Sequence, residues 1–149
     1  MAIYRRTLEK LLWVIAIALI TIMFVTTWIG LEHGAYKMNP IMWAVFRALY
    51  KLTGSWAVAV LPFLPLTCLW LYFAVRVGKW LCWKIEKEYP YAERSVLIAF
   101  ILLMLPNTFY QLGVIKMSYK AILESGLILM MVYLIFEEFR WRREKKRGK

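Results

Sequence analysis

The stretch LLWVIAIALITIMFVTTWIGL, residues 11–31, runs for twenty-one residues without a charge. A helix rises about 1.5 Å per residue, so roughly 20 such residues cover a hydrocarbon core about 30 Å thick. A helix in a soluble core does not need an apolar surface that long on every side. Arg5, Arg6 and Lys10 precede the run, as basic residues precede a secretory signal. The run is longer than a signal's apolar region, however, and Trp28 and Leu31 stand where a cleavage site needs small residues. The expectation is a first transmembrane helix that stays in the mature protein.

Two further uncharged runs, residues 55–75 and 95–115, are also twenty-one residues long. A fourth, residues 118–136, is interrupted only by Lys120 and Glu124, near one end. Closed barrels also satisfy their backbone in lipid, but their strands alternate apolar and polar residues, and these segments are apolar all round. The sequence therefore predicts an all-α membrane protein, one transmembrane domain spanning 1–149. Its four membrane-crossing helices lie near 11–31, 55–77, 95–115 and 118–138. A composition that is 62% hydrophobic agrees with this class.

Between the first two spans, Asn39-Pro40 reads as a helix start. Asparagine caps free N–H groups, and proline at the first helical position has its φ already set. Ile41, Val45 and Leu49 then repeat at four-residue spacing with Met42 and Phe46 alongside, while Arg47 and Lys51 fall elsewhere on the wheel. This predicts a short amphipathic helix over about 40–52 that lies in the interface and does not cross. Gly30 and Gly34 let the chain turn out of the first helix.

Basic residues set the orientation. The first tail holds three Lys/Arg, the second loop five (Arg76, Lys79, Lys84, Lys87, Arg94) and the last tail seven, against three and two in the first and third loops. Fifteen against five predicts both termini on the cytoplasmic side of a cell membrane. Most of the net charge of +11 then faces anionic lipid headgroups, at about 1 kcal/mol per basic residue. The basic tail, residues 139–149, is too short to form a nucleic-acid-binding module, so no nucleic-acid partner is expected.

Candidate sites are few. Glu32 and His33 adjoin Asn39 at the outer interface, but neighbours on a helix point apart, and the chain has no second histidine and no aspartate. A solvated pair is the expectation there, with no metal and no cofactor. Cys68 and Cys82 are fourteen residues apart, about 21 Å on a continuous helix, and read as free thiols. Inside the membrane, Asn107 and Gln111 share a helix face one turn apart beside Pro106, and Pro62 and Pro65 disturb the second span. Thr21, Thr26 and Thr27 belong to the first helix, and Glu124 with Ser125 and Gly126 to the fourth. Polar groups in lipid seek each other, so these faces are expected to turn inward and meet. Glu124 stands about 9 Å along its helix from Ser118, with Lys120 one turn earlier as a natural partner. Glu137 and Glu138, close to Arg140, Arg142 and Arg143, read as solvated.

The segment FVTTWIGLEHGAYKMNPIM, residues 24–42, resembles the first helix and following turn of an uncharacterised family of small, mostly archaeal, polytopic membrane proteins. That family is catalogued as a domain of unknown function. Its pattern is an aspartate and threonines in helix one, a glycine, an acidic residue shortly before Asn-Pro, and an asparagine in a later helix. Thr26, Thr27, Gly34, Asn39, Pro40 and Asn107 match it. No aspartate precedes Thr26, and Lys37 stands where the acidic residue would be. The resemblance implies a four-helix membrane architecture and no assigned chemistry, and a site marked by that polar pattern would be missing here.

Three functions follow in order of support. The first is a non-enzymatic accessory subunit or scaffold packing against other membrane proteins, since no catalytic constellation appears while eight tryptophans and eight methionines offer adaptable packing surface. The second is a small self-associating transporter or channel built on the polar faces of helices one, three and four. An enzyme acting on lipid or peptide ranks last, because no nucleophile has a base at the needed spacing.

Overall fold

The computed structural model describes residues 2–34, 40–85, 91–114, 116 and 118–147. Asn39, Lys37, Lys87 and Pro90 lie outside the described residues, as do the side chains of Arg5, Arg6 and Cys82. Among those described, every regular element is helical: α1 (Ala2–Glu32), α2 (Pro40–Thr53), α3 (Trp56–Val60), α4 (Phe63–Ile85), α5 (Ala92–Gln111) and α6 (Tyr119–Arg147). Three segments are long and apolar enough to cross a membrane: Thr7–Glu32, Trp56–Leu81 and Ala92–Gln111.

α3 and α4 form the second of these segments, with a break at Leu61-Pro62. Pro62 has no N–H to continue the ladder, while Leu61 before it keeps helical angles (φ −63°, ψ −31°). Leu61 N still donates to Ala57 O at 2.9 Å, and Leu64 N reaches only three residues back, to Leu61 O at 3.0 Å. Pro65 falls in the first turn of α4, where its missing N–H would have had no intrahelical partner. Pro106, by contrast, is buried inside a continuous α5.

Contacts far apart in sequence give the direction of each helix. Trp13 meets Glu93 and Thr26 meets Gln111, so α1 and α5 run parallel. Lys79, near the end of α4, bonds Glu93 near the start of α5. Glu137 bonds Arg94, and Gly126 lies against the Leu103 backbone; the residue numbers in each pair sum to nearly the same value. α6 therefore runs antiparallel along most of α5. Its uncharged stretch, residues 125–136, is only twelve residues long, about 18 Å of helix, between Glu124 and Glu137.

The core is one apolar column: Ala16, Ile20 and Phe24 of α1 pack with Leu71 and Val75 of α4 and Leu97 and Phe100 of α5. α2 folds over one end of it. Phe46 is buried there, edge-on to Phe63 with centroids 5.3 Å apart, and Trp56 stacks on Trp43 and Tyr50. The inward line of α2 is Met42 and Phe46; Ile41 is 73% exposed and Val45 faces out as well. Thr53 Oγ1 donates to Leu49 O at 2.9 Å and Gly54 turns the chain at φ +68°, which ends α2.

Two glycines set helix separation. A Cβ on Gly126 would stand 2.5 Å from Leu103 O, whereas one on Gly78 would stand 2.7 Å from Val96 Cγ2. A backbone oxygen cannot step aside without moving its helix, but a side-chain methyl can. Gly126→Ala should therefore cost about 1–3 kcal/mol, the range of ordinary overpacking, and Gly78→Ala clearly less. Unfolding in mixed detergent micelles measures both.

Candidate functional site

Gln111 is the last residue of α5, and its face meets the threonines of α1. Thr26 Oγ1 lies 2.6 Å from Gln111 Oε1, and Gln111 Nε2 donates to Thr27 Oγ1 at 3.3 Å. Thr26 has one hydroxyl proton and three oxygens within reach, the others being Ile22 O at 2.7 Å and Met23 O at 3.1 Å. With the amide turned over, Gln111 would donate to Thr26 while Thr26 bonds its own helix. Either orientation joins α1 to α5 through one amide. All three side chains are half-buried. Asn107, one turn earlier on α5, is half-buried and does not belong to this cluster. Thr21 bonds Ile17 O of its own helix at 2.9 Å.

Glu124 stands apart. Its carboxylate faces away from α5, with the side chain 56% exposed, and pairs only loosely with Lys120 at 3.7 Å. Of the fourth-helix residues expected to turn inward, Glu124 thus does not, whereas Gly126 does. The reason is rotational: consecutive helical residues are 100° apart, and Gly126 must face the α5 backbone. Glu124, two residues back, is turned about 200° away, while Ser125 bonds the Ile122 carbonyl at 2.8 Å.

Glu32 and His33 also go separate ways. Glu32 Oε1 accepts from Trp28 Nε1 at 3.2 Å, and His33 Nδ1 lies 2.8 Å from Ile29 O at the end of α1. Both are exposed, and both finish their own helix; neither faces a shared ligand. Among the described residues no group of three or more His, Cys, Asp or Glu side chains is placed to hold a metal ion.

The densest polar cluster lies at the other end, where no sequence pattern marks one. Glu137 is 3% exposed, which corrects the expectation that it is solvated. Its Oε1 accepts from Arg94 Nη2 at 2.9 Å and Arg140 Nη2 at 3.0 Å, with Ser95 Oγ at 3.5 Å. Both guanidinium groups also lie over the Tyr91 ring, 4.4 and 5.3 Å from its centroid. Antiparallel packing of α5 and α6 brings the arginine and serine to the glutamate, so nearness to Arg140 in sequence was only half of the environment. Glu138, one residue on, is exposed and bonds Arg142 at 2.7 Å.

Beside it, Glu93 joins three helices. Its Oε1 accepts from Trp13 Nε1 at 3.0 Å and its Oε2 from Lys79 Nζ at 2.7 Å. Trp13, Glu93, Arg94 and Tyr91 carried no signal of periodicity or motif. One signal was available: folding residues 92–147 as an antiparallel hairpin puts the charged pair Glu93-Arg94 opposite Glu137. None of the known protein families, curated proteins or solved structures matches this chain.

Glu137→Gln leaves two arginines facing a neutral amide. It should destabilise the fold by about 2 kcal/mol or more, below the roughly 3–5 kcal/mol of a fully buried pair because Arg140 is 35% exposed. Glu138→Gln should change stability by less than about 1 kcal/mol. Thermal denaturation of the two variants in one detergent separates them. A double-mutant cycle of Thr26→Val and Gln111→Leu should give a coupling of about 0.6 kcal/mol, typical of interhelical hydrogen bonds in membranes.

Proposed function

We propose that this chain is a four-span cell-membrane protein with both termini in the cytoplasm, and that it acts without catalysis, as an accessory subunit or scaffold held against a membrane partner by the outward face of α6. The fourth crossing is supported by the register of α6. A helix lying antiparallel along a membrane-crossing α5 must travel the same distance back. Its charges suit the journey, since Glu137 is neutralised by Arg94 and Arg140 and Lys120 can reach the headgroups. The orientation is supported by the bias of basic residues toward the Trp13, Lys79 and Glu137 end.

The observation that carries the partner is Glu124. Ionisable groups inside a membrane nearly always turn toward protein or water, because exposure to lipid is costly. Glu124 turns away from α5, onto a face where Ile128, Val132 and Ile135 are each more than half exposed. A second protein on that face relieves the carboxylate and covers the aliphatic stripe. The same observation also fits the runner-up reading, a small homo-oligomeric transporter or channel with Glu124 near its axis. Resemblance to the uncharacterised archaeal family fits the architecture and adds no chemistry.

Glu124→Cys cross-linking in native membranes tests this, with Cys68→Ala and Cys82→Ser removing the natural thiols. An adduct with a different membrane protein, identified by mass, is the expected result. A disulfide-linked dimer of this chain would transfer the assignment to the homo-oligomer. Reaction with lipid-soluble maleimide alone would contradict both.

A further inference from the structure

At the basic end, α1, α4 and α5 border an open cleft of about 360 Å³ lined by Trp13, Tyr72, Val75, Arg76, Lys79 and Glu93. That volume falls within the roughly 300–1,000 Å³ of small-molecule sites. Its walls combine an indole, a phenol ring and a valine with two cations and a single carboxylate. The carboxylate is already engaged on both oxygens, by Trp13 and by Lys79. Arg76 has no such match: Nε and Nη2 both donate to Tyr72 Oη, at 3.0 and 2.8 Å, and no carboxylate pairs with it among the described residues. The guanidinium is therefore held in place by a neutral phenol while three of its five N–H donors remain. Counting Arg76, Lys79 and Glu93, the cleft has one uncompensated positive charge.

We infer that this cleft binds the phosphodiester of one anionic phospholipid, with the Arg76 guanidinium and the Lys79 ammonium on the phosphate oxygens. Arginine's planar fork suits two phosphate oxygens at once. Tyr72 fixes the fork and so lowers the ordering cost of binding. The acyl chains have a surface to follow, since Leu69, Phe73 and Val77 of α4 and Val14 and Ile17 of α1 are exposed. A phosphodiester carries one negative charge, the amount the cleft lacks. This inference rests on the membrane reading, and on the basic end facing an anionic leaflet, but not on any protein partner. α6 contributes nothing to the cleft, so the lipid site and the Glu124 face are independent.

The test counts lipid retained per chain by native mass spectrometry after delipidation, following reconstitution in nanodiscs of phosphatidylglycerol or phosphatidylcholine. The expected result is one phosphatidylglycerol retained by the wild-type protein and none of the phosphatidylcholine. Arg76→Gln should lower that occupancy about tenfold or more, the weight of one lost charge-assisted hydrogen bond. Arg76→Lys, which keeps the charge, should restore part of it. Arg142→Gln removes an exposed tail charge and should leave occupancy unchanged. Equal retention by wild type and Arg76→Gln, or an equal loss in Arg142→Gln, would overturn the site and leave only general attraction to the surface. Displacement of phosphatidylglycerol by millimolar inorganic phosphate would overturn the lipid as its occupant and assign the cleft to free phosphate. A preserved monodisperse elution profile for each variant ensures that lost lipid is not lost fold.

Discussion

Polar groups removed from water must find partners inside the protein, and in this chain α5 is where that constraint concentrates. Its charged and hydrogen-bonding side chains sit at its two ends. Glu93, Arg94 and Ser95 at one end and Gln111 at the other reach three different helices. Glu93 takes Trp13 of α1 and Lys79 of α4, Arg94 and Ser95 take Glu137 of α6, and Gln111 takes the threonines of α1. Between the ends, packing is set by size, with Gly126 against the Leu103 backbone and Gly78 against Val96. A slide of one residue would move α5 by about 1.5 Å and turn it 100°, breaking the bonds at both ends. Register and rotation are fixed together.

Much of the class was legible in composition. Long uncharged runs have few uses other than crossing lipid, and three of them are helices of sufficient length. The break at Leu61-Pro62 was also readable, because proline acts locally. The polar contacts were harder to read. Thr26, Thr27 and Gln111 could be singled out as polar groups in apolar helices, but their meeting depends on the crossing of α1 and α5, which no local pattern encodes. Glu124 illustrates the opposite failure. Residues 124–126 read as one polar face in sequence, yet neighbouring residues on a helix cannot share a face. The backbone contact at Gly126 decided which of them faces α5. Glu137 looks solvated in sequence because its neighbours are basic and lead into a tail. In the fold it meets Arg94 and Ser95, more than forty residues away.

The two proposed binding surfaces lie on different helices and use different chemistry. The cleft beside Arg76 is concave, cationic and bordered by exposed aliphatic side chains, which suits a lipid headgroup with its chains. The outward face of α6 is a stripe of large aliphatic residues with one carboxylate near its end, which suits a protein helix able to satisfy that carboxylate. Because α6 packs on α5, and α5 is tied independently to α1 and α4, a partner can dock on α6 without disturbing the cleft.

The measurement that bears most directly on this account is which side of the membrane each end of α6 occupies. With Cys68→Ala and Cys82→Ser as background, single cysteines Ser118→Cys and Lys145→Cys would be labelled by an impermeant maleimide in sealed, oriented vesicles. Ser118→Cys should react only from the external side and Lys145→Cys only from the cytoplasmic side. Labelling of both from one side would mean that α6 does not cross, and would contradict the four-span bundle on which the proposed roles of Glu124 and Glu137 depend.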